Sequence, residues 1–117
     1  MSKSSFIPRP EYPRPQFIRE SWINLNGTWT CELDHSRSGY DAGGILDPAA
    51  EQHSRQLWKS QGFGQAIIVP FCPESSLSGV GYTDFIEMMW YHRKLEIPVA
   101  WGELILLHFG AVDYRCD

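Results

Sequence analysis

The chain has 117 residues, enough for one domain and too few for two complete ones. Its composition is 43% hydrophobic, 14% aromatic and 21% charged, which supplies a core and an ordinary polar surface and excludes overall disorder. Ten basic residues against 14 acidic ones leave a net charge of −4 without any Lys/Arg cluster, so nucleic acid is not an expected partner.

No apolar run approaches the roughly 20 residues that cross a bilayer. The opening "MSKSSFIPRP" lacks the apolar segment of a secretory signal. The expectation is a cytoplasmic protein with no membrane partner. Cys31, Cys72 and Cys116 are odd in number, far apart and without a C-x-x-C pair, so the pattern indicates no disulfide framework and no zinc site. They are expected to be buried, reduced thiols, and no metal or other cofactor is expected.

In chain order, residues 1–16 form a proline-rich arm. "PRPEYPRP", from residue 8 to 15, fixes φ repeatedly and withholds backbone donors, which favours an extended polyproline-like path packed on its own domain. An SH3-type ligand is the alternative, since Pro10 and Pro13 have PxxP spacing. Arg14 follows Pro13 directly, one place earlier than the usual flanking arginine.

Residues 17–117 are assigned to a single β-sandwich domain. In "WINLNGTWTCEL" an Asn26-Gly27 turn signal precedes an alternation that sets Trp29, Cys31 and Leu33 against Thr28, Thr30 and Glu32, as in a half-buried strand. Residues 34–46 are turn-rich and predict a surface loop. Asp47 as N-cap, Pro48 at the first helical position and Gly62 beyond the end predict one short helix through Lys59. Its narrow apolar face, Ala50, Leu57 and Trp58, makes it peripheral.

From Gln65 onward the pattern is β again. "QAIIVP" predicts a short buried strand closed by Pro70. "MMWYHRKLEIP" alternates Tyr91, Arg93, Leu95 and Ile97 against Trp90, His92, Lys94 and Glu96, and "ELILLHFGAV" is apolar on both faces. Four or five short strands, turns between them and one minor helix predict an all-β fold arranged as a sandwich.

Taken in order, "WINLNGTW", "IIVPFCPES", "MWYHRKLEIP" and "LLHFGAVDY" resemble the N-terminal jelly-roll domain of glycoside hydrolase family 2, the family of β-galactosidases, β-glucuronidases and β-mannosidases. The resemblance extends from about Pro13 to the end of the chain. The "VPFCPES" loop with "GYTDF" is most similar to β-galactosidase-type members. The resemblance implies a galactose-binding-domain-like jelly roll, carbohydrate as a ligand and the remaining domains of a retaining glycosidase as partners.

The loop that follows Val69 changes abruptly from apolar to polar. Pro70 and Pro73 lower the entropy cost of holding it in one shape, and Glu74, Ser75 and Ser76 supply acceptors and hydroxyls. Tyr82 and Asp84 follow a flexible "SGVG" run. Because this side of the domain approaches the active site in family members, the resemblance implies Glu74, Tyr82 and Asp84 as an edge of the sugar pocket. A purely structural loop that buttresses a domain interface is the other reading.

No catalytic residue is assigned. Retaining glycosidases need two carboxyl groups about 5 to 5.5 Å apart. The family places both on a later barrel, with the acid/base preceded by asparagine. Here Asn24 and Asn26 are followed by Leu and Gly, and the chain is far shorter than the roughly 250 residues of such a barrel. A triad from Ser75 or Ser76 with His92 or His108 lacks a nucleophile elbow. The two histidines lack ligand spacing and are expected to be structural. Trp90 and Tyr91 could stack on a sugar but are expected in the core.

Two classes of function remain: the non-catalytic N-terminal portion of a glycosidase, or a free-standing jelly-roll module that binds carbohydrate or protein. The chain stops at "FGAVDYRCD", where family members continue, which favours the first and leaves the expected sandwich incomplete at its C-terminus. An unpaired sheet edge, with Ile105, Leu107 and Phe109 or Leu104 and Leu106 uncovered, is then a surface for self-association.

Overall fold

The computed structural model describes residues 6–35 and 61–116. Its centre is a three-stranded antiparallel sheet, and the fold is all-β in character. β1 (Gly27–Leu33) lies between β2 (Gln65–Val69) and β3 (Met89–His92), giving the order β2-β1-β3. The helix expected over 47–59 and most of the loop 34–46 lie outside the described residues. No helix among the described residues is long and apolar enough to cross a membrane.

β1 forms where the alternation places it. Thr28, Trp29 and Thr30 suit a pleated, half-buried surface, and the register sets Trp29 opposite Ile67 and Cys31 opposite both Gln65 and Tyr91. Opposed residues share a face, so one face carries Trp29, Cys31, Ile67, Val69, Met89 and Tyr91. Cys31 and Ile67, at 1% and 0% exposure, are the buried apolar residues among those described, and both lie on that face. Thr30, Ala66 and His92 belong to the other.

That second face is approached by the chain entering β2. Phe63 N donates to Thr30 Oγ1 at 3.0 Å, and the Phe63 ring meets His92 edge-on at 6.4 Å. Gly62 permits this approach: a Cβ there would lie 2.7 Å from Thr30 Oγ1 and 2.8 Å from His92 Nδ1, and its φ is 75°. His92 thus has a structural setting.

The turn before β1 ties down the proline arm. Asn24 Oδ1 accepts from Asn26 N at 2.9 Å, an Asx turn, while Asn26 Nδ2 donates to Pro8 O at 3.1 Å and Arg9 O at 3.2 Å. Asn24 Nδ2 also donates to Arg9 O, and Tyr12 packs edge-on against Trp22 with centroids 4.5 Å apart. The arm bends at Arg9, whose φ is 52°, and ends in a 3-10 turn at Pro15–Phe17. Behind the turn, Arg93 donates to the carbonyls of Leu25 and Asn26 and sits 6.0 Å from the Trp29 ring centroid, while Trp29 Nε1 donates to Leu25 O at 2.7 Å. One guanidinium therefore holds the entry to β1 against the exit from β3.

Several expectations are corrected. Among the described residues β2 lies at the edge of the sheet, and in it Ile67 alone is buried while Ile68 is exposed. β3 ends at His92 rather than continuing to Ile97. "ELILLHFGAV" forms no strand: a strand needs a partner for its backbone groups, and no backbone hydrogen bond joins residues 103–112 to the rest of the described chain. Three strands stand among the described residues where four or five were expected. Tyr91 is 43% exposed rather than in the core, and Trp90 is half-buried with Nε1 donating to the buried Asp34 at 3.1 Å. Of the cysteines, Cys31 alone is buried. Cys72, on the loop after β2, and Cys116, near the C-terminus, are exposed, and all three are free thiols.

Candidate functional site

The loop after β2 is built outward from Pro70, which cannot donate to a ladder and ends the strand. Phe71 N turns back to Ile68 O at 3.2 Å, and Ser75 N to Cys72 O at 3.0 Å. Ser75 then caps a 3-10 turn at Ser76–Ser78 by accepting from Leu77 N at 3.1 Å. That use of the Ser75 hydroxyl is structural, and among the described residues neither Ser75 nor Ser76 is hydrogen-bonded to a histidine.

Ser78 holds the loop together. Its side chain is fully buried, and its hydroxyl donates to Ser75 O at 2.7 Å while accepting from Val80 N at 3.1 Å. Gly79, with φ of 82°, allows the chain to reverse and bond back to Ser76 O. Tyr82 N closes the loop on Pro73 O at 2.9 Å. The "SGVG" run, expected to be flexible, is therefore fastened at both ends by hydrogen bonds. Buried polar groups cost free energy unless satisfied, and among the described residues no buried side-chain nitrogen or oxygen lacks a partner.

The three residues singled out as a pocket edge all lie on or beside this loop, though no hydrogen bond or ion pair links them to one another. Tyr82 is half-buried, with its hydroxyl 3.4 Å from His35 Nε2 and the two rings 5.6 Å apart at 43°. Glu74 and Asp84 are exposed.

Tyr91, opposite Cys31 in the sheet, presents a part-exposed ring. Burial pushes its phenol up from the ordinary value of 10.0, and the charges of Cys31, Glu74 and Cys72 push it further. The Cys31 thiol is itself raised by burial. An accessible aromatic surface can pack on the C–H face of a sugar, and a carboxylate can accept from its hydroxyls. Strand alternation identified the face of Tyr91 but not its exposure, because β3 is a sheet edge among the described residues. Among those residues no group of three His, Cys, Asp or Glu side chains is gathered to hold a metal ion.

The chain was compared with protein-family models and with curated proteins. Neither comparison gives a match.

Proposed function

We propose that the chain is the N-terminal, non-catalytic β-domain of a family 2-type glycosidase, part of a jelly-roll sandwich that serves as scaffold and as an interface to the enzyme's other domains. Its loop at residues 70–84 forms an edge of the sugar pocket, with Glu74, Tyr82 and Asp84 supplying polar contacts and Tyr91 an aromatic surface. The hydrolytic carboxylates belong to another domain of the parent, an enzyme of β-galactosidase type. One observation carries this reading: three of the four motifs lie side by side in one antiparallel sheet, and the loop that follows the second is held in a single shape by Ser78. A loop ordered before ligand arrives loses little entropy on binding.

Titration of the chain with methyl β-galactoside, followed through backbone amide resonances, tests this. Shifts concentrated at residues 71–84 and Tyr91, with no hydrolysis of aryl β-galactoside, β-glucuronide or β-mannoside, are expected. Shifts confined to another surface, or turnover that survives purification and disappears in Glu74→Ala, would overturn it.

A further inference from the structure

Both flanking strands run antiparallel to β1, so β2 and β3 are parallel to each other and the chain between them crosses the length of the sheet. It leaves β2 where Val69 pairs with Gly27 and enters β3 where Met89 pairs with Leu33. His35 lies two residues beyond Leu33, at the end of β1 that the crossing reaches, and there its Nε2 meets the Tyr82 hydroxyl at 3.4 Å. Each ring stands on an anchored backbone. Beside His35, Asp34 N donates to Met88 O at 2.8 Å while the Asp34 carboxylate accepts from Trp90 Nε1 at 3.1 Å, and Tyr82 N donates to Pro73 O at 2.9 Å. Among the described residues the Tyr82 hydroxyl has no second hydrogen-bond partner.

We propose that His35 is a positioning residue of the sugar-binding edge: its imidazole fixes the direction of the Tyr82 hydroxyl, and Tyr82 makes the contact with the carbohydrate. The proposal rests on the reading of residues 70–84 as that edge. A phenol O–H rotates to suit its surroundings and offers both a donor and an acceptor. The imidazole nitrogen takes up one of these roles and leaves the other for a ligand. Where Nε2 is unprotonated, the hydroxyl donates to it and keeps a lone pair for a sugar hydroxyl; where Nε2 carries the proton, it donates to the hydroxyl oxygen, whose own hydrogen is left for the sugar. In both cases the hydroxyl has one direction before the sugar arrives, and a group ordered in advance loses less entropy on binding.

Titration of the full chain with methyl β-galactoside, followed through backbone amide resonances, tests the proposal in His35→Ala, His35→Gln, Tyr82→Phe and the double variant His35→Ala, Tyr82→Phe. His35→Ala is expected to weaken binding about fivefold, the worth of one neutral hydrogen bond. The amides of Ser78, Gly79 and Val80 should keep their wild-type positions in that variant. His35→Gln should bring affinity back to within about twofold of wild type, since its amide can again meet the hydroxyl. In the Tyr82→Phe background His35→Ala should cost nothing further, because no hydroxyl is left to direct. Affinity unchanged in His35→Ala, a loss that persists beside Tyr82→Phe, a glutamine variant no better than the alanine one, or displaced amides at Ser78, Gly79 and Val80 would overturn the proposal while the sugar-binding edge stands. A wild-type chain without shifts at residues 71–84 would overturn both.

Discussion

The loop at residues 70–82 and the segment at residues 103–112 differ in a way that composition alone would not suggest. The loop is polar, with glycines and prolines, yet it is fastened by bonds from Ser75, Ser78 and Tyr82. The C-terminal segment is largely apolar and is fastened by no backbone hydrogen bond within the described residues. Order follows the number of satisfied partners rather than hydrophobicity. Apolar residues stabilise a strand only when another element covers them, whereas one buried hydroxyl that both donates and accepts can organise a whole loop.

Substitutions at the two sites should separate these regions, and the largest effect belongs to the sheet. Ile67→Ala removes a fully buried side chain from the face shared with Cys31 and should cost about 2 to 5 kcal/mol in chemical denaturation. A smaller loss, below about 1 kcal/mol, would mean that this face contributes little to the fold. Ser78→Ala comes next. It leaves Val80 N without its partner and removes one of the two bonds that Ser75 O accepts and should cost about 1 to 3 kcal/mol, with amide shifts confined to residues 73–82. Shifts spread across the sheet would deny the loop its independence.

A third effect depends on pH. Cys31 and Tyr91 both hold their protons more tightly in the folded chain than the ordinary values of 9.0 and 10.0. Their contribution to stability is fully present below pH 9.0 and is lost as pH rises through the raised folded-state values. Denaturation midpoints should fall above that pH, less steeply in a Cys31→Ala, Tyr91→Phe double variant. The smallest effect is expected in the C-terminal segment. Leu107→Ser should change stability by less than about 0.5 kcal/mol.

What the sequence revealed depended on whether the signal was local. The alternation from Thr28 to Leu33 and the stop at Pro70 are properties of neighbouring residues, and β1 and β2 appear where those signals put them. The exposure of Tyr91 depends on β3 lying at the edge of the described sheet, which no local pattern records. "ELILLHFGAV" carries a strong strand pattern, but strand formation needs a partner at a distance. Arg93 read as one member of an alternation, and its contact with the Leu25 and Asn26 carbonyls spans more than sixty residues. Ser78 sat in an apparently flexible "SGVG" run, although serine ahead of glycine is also the chemistry of a hydrogen-bonded turn. At the candidate site, Glu74, Tyr82 and Asp84 were legible as residue types on one loop, while the bonds that fasten that loop through Ser78 were visible only after folding.

Amide hydrogen exchange with and without methyl β-galactoside tests most directly the claim that a pre-ordered loop beside β2 is the binding edge. The account predicts that Ser78, Gly79 and Tyr82, whose amides donate to Ser75, Ser76 and Pro73, exchange slowly in the free chain and more slowly with the sugar, while Leu104–Leu107 exchange fast in both. Fast exchange of those loop amides in the free chain, or sugar protection that falls elsewhere, would contradict it.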